Sequence, residues 1–121
     1  MSAAAAQTVL ENRLERLTGE EGSCCLTDYA DRAQKVRSLP QFKVSLKRVR
    51  AMADDRRLLA LGLLKRSDEL CACELQAATG LTHATVSHHM AVLQEAGLVA
   101  SRKEGKWRYY RLTSRARGEV P

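Results

Sequence analysis

The chain has 121 residues and a formal net charge of +6, from 20 Lys and Arg residues against 14 Asp and Glu residues. This length suits one domain with an extra arm and excludes two ordinary domains. The opening MSAAAAQTVL lacks the charged start and long apolar run of a secretory signal, and no stretch approaches the roughly 18 apolar residues of a membrane span, so we expect a soluble cytoplasmic protein that contacts no membrane.

Basic residues are concentrated in two stretches of the chain. Residues 35–50 contain six basic residues and no acid, and residues 102–117 contain seven basic residues and one acid, Glu104. A single basic cluster is usually a solvated face. Two clusters on either side of a helical pattern favour a polyanionic partner such as DNA.

The first part of the chain predicts an N-terminal arm over residues 1–39 with two short helices. Good helix formers with leucines at helical spacing predict the first helix over residues 3–17. The sequence TGEEGS then interrupts it. A second helical piece is expected over residues 29–39, where Pro40 ends it.

The central part of the chain predicts a DNA-binding domain over residues 40–112, followed by a short tail over residues 113–121. The domain begins with a basic helix that needs a partner for its apolar face, and we expect this face to form a dimer interface. Asp54 or Asp55 caps the next helix, RRLLALGLLKR, whose leucine density predicts the most buried element. The residues of the expected dimer interface are Phe42, Leu46, Val49 and Met52.

Two helices and a hairpin follow. A short helix in CELQAATG ends at Gly80, a residue that tolerates left-handed backbone, and Thr82 starts the second helix, THATVSHHMAVLQE. Two helices joined by a tight turn predict a helix-turn-helix. Gly97 ends the second helix, and LVASRKEGKWRYYRL predicts two strands joined at Glu104 and Gly105. The expected fold class is mostly α with a small β-hairpin wing, a dimeric winged helix-turn-helix.

The second helix of this motif contains no Lys or Arg, which favours contact with base edges rather than with phosphate. Its hydroxyl and imidazole groups suit the major groove, while cations of the hairpin neutralise phosphate. The alternative is an ordinary polar helix face with His89 packed against the core. We expect DNA contacts from His83, Ala84, Thr85, Ser87 and His88 of the helix, and from Arg102, Lys103, Lys106 and Arg108 of the hairpin.

Four cysteines form two close pairs, Cys24 with Cys25 and Cys71 with Cys73. In a reducing cytosol such cysteines favour metal binding or redox chemistry over a structural disulfide framework. A buried thiol also packs as a small hydrophobe, so an inert core role is the alternative. Thiolate ligands exclude magnesium, calcium and manganese, and leave arsenite, antimonite, cadmium, lead, zinc or cuprous copper.

The three histidines, His83, His88 and His89, predict no zinc site. Consecutive histidines diverge around a helix, and no carboxylate accompanies them at ligand spacing. An enzyme is not expected either, because the chain contains no Cys-x-x-Cys motif and no loop that cradles phosphate. No organic cofactor is expected.

The segment ELCACELQAATGLTHATVSHHMAVLQEAGLVASRKEGKWRYYRL, residues 69–112, resembles the ArsR/SmtB metalloregulatory repressors. A weaker similarity extends back through LKRVRAMADDRRLLALGLL. ELCACEL is a close variant of the family's Glu-Leu-Cys-Val-Cys signature, TVSHHM resembles its recognition helix, and RKEGKWRYYRL resembles its wing. The resemblance implies a winged-helix homodimer that represses its own metal-resistance operon and leaves operator DNA when metal binds.

Two positions depart from the family pattern. Only nine residues follow Leu112, so we expect the family's C-terminal helix, and the zinc site that some relatives build on it, to be absent or reduced. A dimer would then rely on N-terminal helices. Gln76 stands where arsenic sensors of the enteric type carry a third cysteine, so a third thiolate must come from elsewhere. The candidates are Cys24 and Cys25.

The effector expected from this resemblance is arsenite or antimonite. Trivalent arsenic binds three thiolates whereas cadmium readily binds four, and this chain offers three or four. The N-terminal cysteine pair resembles arrangements in both arsenic sensors and cadmium and lead sensors, while the wing EGKWRYYRL is more similar to arsenic repressors. Cadmium, lead or zinc sensing is the alternative within the family, and thiol redox or persulfide sensing is the alternative outside it.

Overall fold

The structure is a computed structural model that describes residues 3–19 and 22–121, the side chains of residues 3 and 22–25 excepted. Within this described part, the chain forms six α-helices, three short strands and one 3₁₀ turn. None of these helices is both long enough and apolar enough to cross a membrane.

The first of two compact units, Met1–Lys43, contains the helices α1 (Ala3–Thr18) and α2 (Gly22–Ser38), which pack against each other. The predicted first helix is confirmed, but α2 begins at residue 22 rather than 29. An ion pair of 2.9 Å between Asp28 and Arg32, at i and i+4, supports the extended helix. No described side chain of this unit is buried.

The second unit, Val44–Pro121, begins within α3 (Pro40–Met52) and continues with α4 (Asp55–Arg66). The α4 cap is at Asp54, whose Oδ1 accepts the N–H groups of Arg56 and Arg57 at 2.9 and 3.2 Å. These N–H groups hold the pKa of the Asp54 carboxyl below its ordinary value, because they stabilise its charged form.

The burial of α4 is confined to one face. Leu61 and Leu64 are fully buried, whereas Leu58 and Leu59 are 37% and 47% exposed. The prediction that α4 is the most buried element is therefore right for its inner face and wrong for the helix as a whole. Leucine density alone does not separate a buried helix from a helix with a second apolar face.

The helix-turn-helix consists of α5 (Ala72–Thr79) and α6 (His83–Glu95), as predicted. Gly80 ends α5 with a positive φ of 73°, and its N–H donates to the carbonyl of Gln76 at 2.8 Å. The hydroxyl of Thr82 caps α6, since it accepts the N–H of Thr85 at 3.3 Å. Local capping chemistry therefore fixes the turn between the two helices.

The hairpin consists of β2 (Val99–Glu104) and β3 (Trp107–Leu112) in antiparallel pairing. Glu104 pairs with Trp107, so the loop consists of Gly105 and Lys106, one residue later than predicted. Gly105 has a φ of +62° at the first loop position, a conformation that two-residue hairpin turns require and that glycine adopts without strain.

A third strand was not predicted. β1 (Leu70–Cys71) pairs with β3 through Leu70 with Tyr110 and Cys71 with Tyr109, which gives the strand order β1-β3-β2. The segment that carries the first cysteine of ELCACEL is therefore part of the same sheet as the wing.

The C-terminal residues also pack into the domain core. Ala116 is fully buried and Val120 is 5% exposed. The Lys65 ammonium donates to the carbonyl of Val120 at 2.7 Å, and Arg48 lies 2.7 Å from the Glu119 carboxylate. The segment predicted as a short tail is thus part of the folded unit. The fully buried large side chains of the core are Leu61, Leu64, Leu75, Met90, Leu93 and Leu98.

Candidate nucleic-acid interface and thiol pair

Helix α6 divides cleanly into a buried face and a polar face. Val86, Met90 and Leu93 are buried against the rest of the domain. The residues that the sequence predicted to contact bases lie away from this core. His83, Ala84 and His88 are exposed, and Thr85 and Ser87 are half-exposed.

A groove of about 460 Å³ lies between α6, the start of α5 and the wing. No Asp or Glu is among the residues that line it, all of which the structure describes. Such a concave, positively charged surface suits a phosphate backbone. Its lining includes Cys73 from α5, Ser87 and Gln94 from α6, and Lys103, Lys106, Trp107 and Arg108 from the wing.

Neighbouring neutral groups orient two of the wing cations. The Arg108 guanidinium donates to the Ser101 hydroxyl at 3.1 Å, and the Lys106 ammonium lies 5.8 Å from the centre of the Trp107 ring. Contacts of this kind leave the positive charge uncompensated. Three of the four predicted hairpin cations, Lys103 being the third, therefore line an open and positively charged groove.

Arg102, the fourth predicted cation, has a different environment. Its guanidinium donates to both carboxylate oxygens of Glu69 at 2.8 Å and to Glu104 at 2.7 Å, and it stacks 4.6 Å from the centre of the Tyr109 ring. The pKa of Arg102 is raised by these carboxylates, and Arg102 in turn lowers the pKa of Glu69. The structure thus places Arg102 in an ion-pair network that links β1 to the wing.

The two cysteines of ELCACEL are both free thiols, in different surroundings. Cys71 is half-buried at the N-terminus of α5, where its N–H donates to the Glu74 carboxylate at 3.0 Å. Contact with the Cys71 N–H and thiol lowers the pKa of Glu74. Cys73 is exposed in the first turn of α5 and lines the groove beside α6.

The sulfur donors of Cys71 and Cys73 suit a thiophilic ion, but the described residues supply only these two. Among the described residues, no group of three or more His, Cys, Asp and Glu side chains is close enough to hold a metal ion. Cys71 and Cys73 supply two soft sulfur donors. Cys24 and Cys25 lie on α2, but their side chains fall outside the described residues, so the structure does not test the predicted third thiolate.

The adjacent histidines of α6 have opposite environments. His88 is exposed, whereas His89 is half-buried, with its Nδ1 3.4 Å from the Arg57 guanidinium. Burial lowers the pKa of His89, and the nearby positive charge of Arg57 adds to this effect. His89 therefore packs against the domain, which was the alternative considered from the sequence.

The predicted dimer stripe is mostly exposed on α3. Phe42, Leu46 and Val49 are 39%, 38% and 57% exposed. Met52 differs, because it is half-buried and packs against the core of its own chain. The first three residues recur at helical spacing and leave an apolar face open on this helix.

The chain matches the family model described as bacterial regulatory protein, arsR family, over residues 54–101. A Halobacterium salinarum protein named as an arsenical resistance operon repressor, ArsR, is 34% identical over 85% of this chain and 86% of its own length. The chain belongs to the ArsR family of bacterial regulatory proteins. This family consists of DNA-binding transcriptional regulators, in agreement with the groove and the exposed face of α6.

Two further comparisons define what this ArsR-family chain is similar to. A cadmium resistance transcriptional regulatory protein CadC homolog of Staphylococcus aureus is 34% identical over 70% of each chain. Among solved structures, the homodimeric winged helix-turn-helix DNA-binding domain of Mb0332 from Mycobacterium bovis is 30% identical with a TM-score of 0.62, over 69% of this chain and 76% of that chain. The predicted winged helix-turn-helix fold is confirmed.

Sequence reasoning missed the roles of two residues in this part of the domain, Trp107 and Glu69. Trp107 was not among the residues expected to contact DNA, yet it lines the groove and is 46% exposed. A large aromatic residue beside basic residues in a hairpin was the signal that could have identified it. Glu69 had no such signal, because its partner Arg102 is 33 positions away in the chain.

Proposed function

We propose that this ArsR-family protein is a repressor that binds operator DNA as a homodimer and is released by a thiophilic ion, arsenite. The observation that carries the proposal is the position of Cys71 and Cys73 at the start of α5, the helix that leads into the DNA-facing α6. The Halobacterium salinarum relative, which matches 85% of this chain, is named for arsenical resistance, which favours arsenite or antimonite as effector.

The DNA-binding part of the proposal divides the work between α6 and the wing. Helix α6 enters the major groove, where Ser87 and His88 meet base edges. Lys103, Lys106 and Arg108 neutralise phosphate beside the groove and position the domain. In a homodimer, two such helices would occupy successive major grooves of an imperfect palindrome.

The release mechanism begins at the N-terminus of α5. A bound thiophilic ion would supply bonds to the sulfurs of Cys71 and Cys73 and to a third thiolate from Cys24 or Cys25. Cys71 forms a capping box with Glu74. If the ion drew the Cys71 sulfur away from this box, the first turn of α5 would lose part of its support, and α6 would shift with it. A coupling of about 2–4 kcal/mol would weaken DNA binding about 30- to 1000-fold.

The test of the effector is a titration of DNA release. The wild-type protein and the variants Cys71→Ser and Cys73→Ser are bound to a duplex selected from a random library by the wild-type protein. Release by arsenite, antimonite, cadmium, lead and zinc is then followed by fluorescence anisotropy. We expect arsenite and antimonite to release the wild-type protein at the lowest concentrations and to fail with both variants, because serine is a hard, unionised ligand.

The Cys71→Ser variant provides its own folding control. Serine at this position creates the sequence Ser-x-x-Glu with Glu74, which is the usual capping box at a helix start. Its circular dichroism and DNA affinity should therefore match those of the wild-type protein. If both serine variants still respond to every ion as the wild-type protein does, the cysteines are not the sensor and the proposed effector class is wrong.

Cadmium sensing is the second candidate, because the CadC homolog is also a relative of this chain. The N-terminal cysteines separate the two candidates. A three-thiolate arsenite site tolerates one of the changes Cys24→Ser and Cys25→Ser, whereas a four-thiolate cadmium site is weakened by both. Formation of disulfides under mild oxidation, measured by mass spectrometry, with no response to any ion would instead indicate a redox sensor.

The division between base contact and phosphate contact has a direct test. His88→Ala and Ser87→Ala should weaken binding to the selected duplex by about 1–3 kcal/mol each, with little effect on random DNA. Lys103→Ala should weaken binding to both duplexes about equally. Equal losses on both duplexes for the α6 variants would remove the assignment of α6 to base contact.

The proposed dimer interface is the exposed α3 stripe of Phe42, Leu46 and Val49, with Met52 at its end. Leu46→Asp should produce monomers in analytical ultracentrifugation, because a charge would then face a second apolar stripe. Val44→Asp is the matched control, since Val44 is 49% exposed on another face of α3. A dimer that survives Leu46→Asp but not Val44→Asp would place the interface elsewhere.

A further inference from the structure

The two cysteines of ELCACEL face different parts of the domain, although one residue separates them. Cys71 belongs to β1 and to the α5 cap, and it is not among the residues of the groove. Cys73 is exposed and lines the groove between α6 and the wing. The two sulfurs therefore relate differently to any DNA that binds there.

The groove has the features of a site for one stretch of DNA backbone. Lys103, Lys106 and Arg108 supply positive charge along the wing side, and Gln94 supplies a hydrogen-bonding group along the α6 side. Among the described residues, none that is acidic lines the groove to oppose a phosphate. When α6 lies in a major groove and the wing lies beside it, the backbone between them must pass through this space.

We infer that Cys73 lies inside the DNA interface, so that its sulfur and the DNA backbone compete for the same groove. The inference rests on the proposed DNA-binding function and specifies how the thiol regulates it. Any group attached to the Cys73 sulfur, whether an ion or an organic adduct, excludes DNA by occupying the groove. Cys71 acts only through the cap of α5, because it lies outside the groove.

The test compares two full-length variants that each retain one cysteine, either Cys73 or Cys71, with serine at the other three positions. Each variant is alkylated with N-ethylmaleimide, with and without the selected duplex, and the rate is followed by intact-protein mass spectrometry. At a duplex concentration about ten times the Kd, alkylation of Cys73 should slow about tenfold, because only the free fraction reacts. Alkylation of Cys71 should slow less than about twofold, and high salt should abolish the protection of Cys73.

A charge substitution tests the same point without thiol chemistry. Cys73→Glu places a carboxylate beside three cations in the groove and should weaken DNA binding about tenfold or more, whereas Cys73→Gln should have little effect. Glutamate in the first turn of α5 is favourable to the helix dipole, so the variant should remain folded. Ala78→Glu is the matched control, because Ala78 is exposed on α5 but does not line the groove.

The possible failures are distinguishable. If the wild-type protein selects no duplex from the random library, the proposed function itself fails. If the single-cysteine variants bind DNA but Cys73 is alkylated at the same rate with and without duplex, Cys73 lies outside the interface and the inference is wrong. Equal losses of affinity for Cys73→Glu and Ala78→Glu would also overturn it, because they would show a general effect of charge.

Discussion

Two groups of cations in this domain have different surroundings: those that line the groove at the wing, and those that contact the C-terminal residues. Lys103, Lys106 and Arg108 line an open groove to which the described part of the chain contributes no carboxylate. The other group is bound within the domain. Arg48 contacts Glu119, Lys65 donates to the carbonyl of Val120 at 2.7 Å, and Arg66 donates to the carbonyl of Pro121 at 3.2 Å.

This difference determines which positive charges contribute to DNA binding. A cation that neutralises phosphate releases the counterions condensed on DNA, and this release drives much of the affinity. A cation already bound to a carboxylate or a carbonyl must first break that contact. The net charge of +6 does not distinguish these two groups of cations, and we expect the three groove cations to supply most of the phosphate contacts.

The largest expected effect comes from removing all three groove cations. The triple variant Lys103→Ala, Lys106→Ala and Arg108→Ala should lower the slope of log K against log salt by about 2.7 and weaken binding roughly 100-fold at low salt. The loss should be similar on selected and random DNA. Fluorescence anisotropy over a range of salt concentrations measures both quantities.

The matched control for this variant is Lys65→Ala, which removes a cation bound within the domain. It should leave the salt slope unchanged, because Lys65 donates to the carbonyl of Val120. A reduction of the slope by Lys65→Ala as large as that for a single groove cation would show that the two groups of cations do not differ.

The second prediction concerns the stability that the C-terminal residues supply. Val120 is 5% exposed, so Val120→Ala should lower the free energy of unfolding by about 1–3 kcal/mol through lost burial and a small cavity. The Lys65 contact is to a main-chain carbonyl and remains. Urea denaturation at a fixed protein concentration measures this change in stability. The substitution Val120→Ala should leave the salt slope of DNA binding unaffected.

An exposed valine provides the comparison for Val120. Val44 is 49% exposed, and Val44→Ala should change the free energy of unfolding by no more than about 0.5 kcal/mol. If the two alanine variants are equally stable, the C-terminal residues are not part of the cooperative core.

Elements with local capping signals were predictable from the sequence. Asp54, Gly80 and Thr82 each supply the hydrogen bond or backbone conformation that a helix end requires within four residues of its own position. The helix-turn-helix followed from these signals and from the spacing of apolar residues. The exposed side of α6 followed from the same spacing, since burial of Val86, Met90 and Leu93 leaves the polar residues outside.

Contacts between distant segments were not predictable from the same patterns. The pairing of β1 with β3 joins residues about 40 positions apart, and a strand of two residues has too few side chains to show an alternating pattern. The burial of Ala116 and Val120 escaped notice because the tail is short and contains several charged residues. Charge counts likewise could not show that Arg102 is held by Glu69.

Arg102 belongs to the wing but, like Arg48, is paired with a carboxylate. Glu69→Gln removes one of the two carboxylates that hold Arg102 and leaves Glu104 at 2.7 Å, so the partly released guanidinium should add at most about one phosphate contact. We expect a salt slope steeper by up to about 1 and tighter binding to random DNA at low salt.

The control for Glu69→Gln is Arg102→Ala, alone and in combination. Arg102→Ala alone should leave the salt slope near the wild-type value. The double variant with Glu69→Gln should lose the increase in slope that Glu69→Gln produces by itself. If the salt slope of Arg102→Ala alone is smaller than that of the wild-type protein by about 1, Arg102 already contacts phosphate in the wild-type protein despite its ion pair with Glu69.

The smallest expected effect concerns His89, which lies beside Arg57, another cation that contacts its own domain. Arg57 donates to the carbonyl of Ala51 at 2.7 Å and lies 3.4 Å from the ring of His89. Burial lowers the pKa of His89 below its ordinary value of 6.5, with the charge of Arg57 as a further cause and the carboxylate of Asp54 opposing both. At pH 7 the folded protein therefore keeps this ring neutral.

The lowered pKa of His89 predicts a loss of stability on mild acidification. Below about pH 6.5 the unfolded chain binds a proton at residue 89 that the folded chain does not, so the free energy of unfolding falls until the pH passes the lowered pKa. Urea denaturation at about pH 7.5 and about pH 5.5 should show this fall in the wild-type protein and a smaller fall in His89→Gln.

His88→Gln is the matched control, because the exposed His88 ring lacks the burial that disfavours the charge on His89. If His89→Gln retains the full wild-type pH dependence, or if His88→Gln reduces it equally, the packed environment of His89 does not set the acid response.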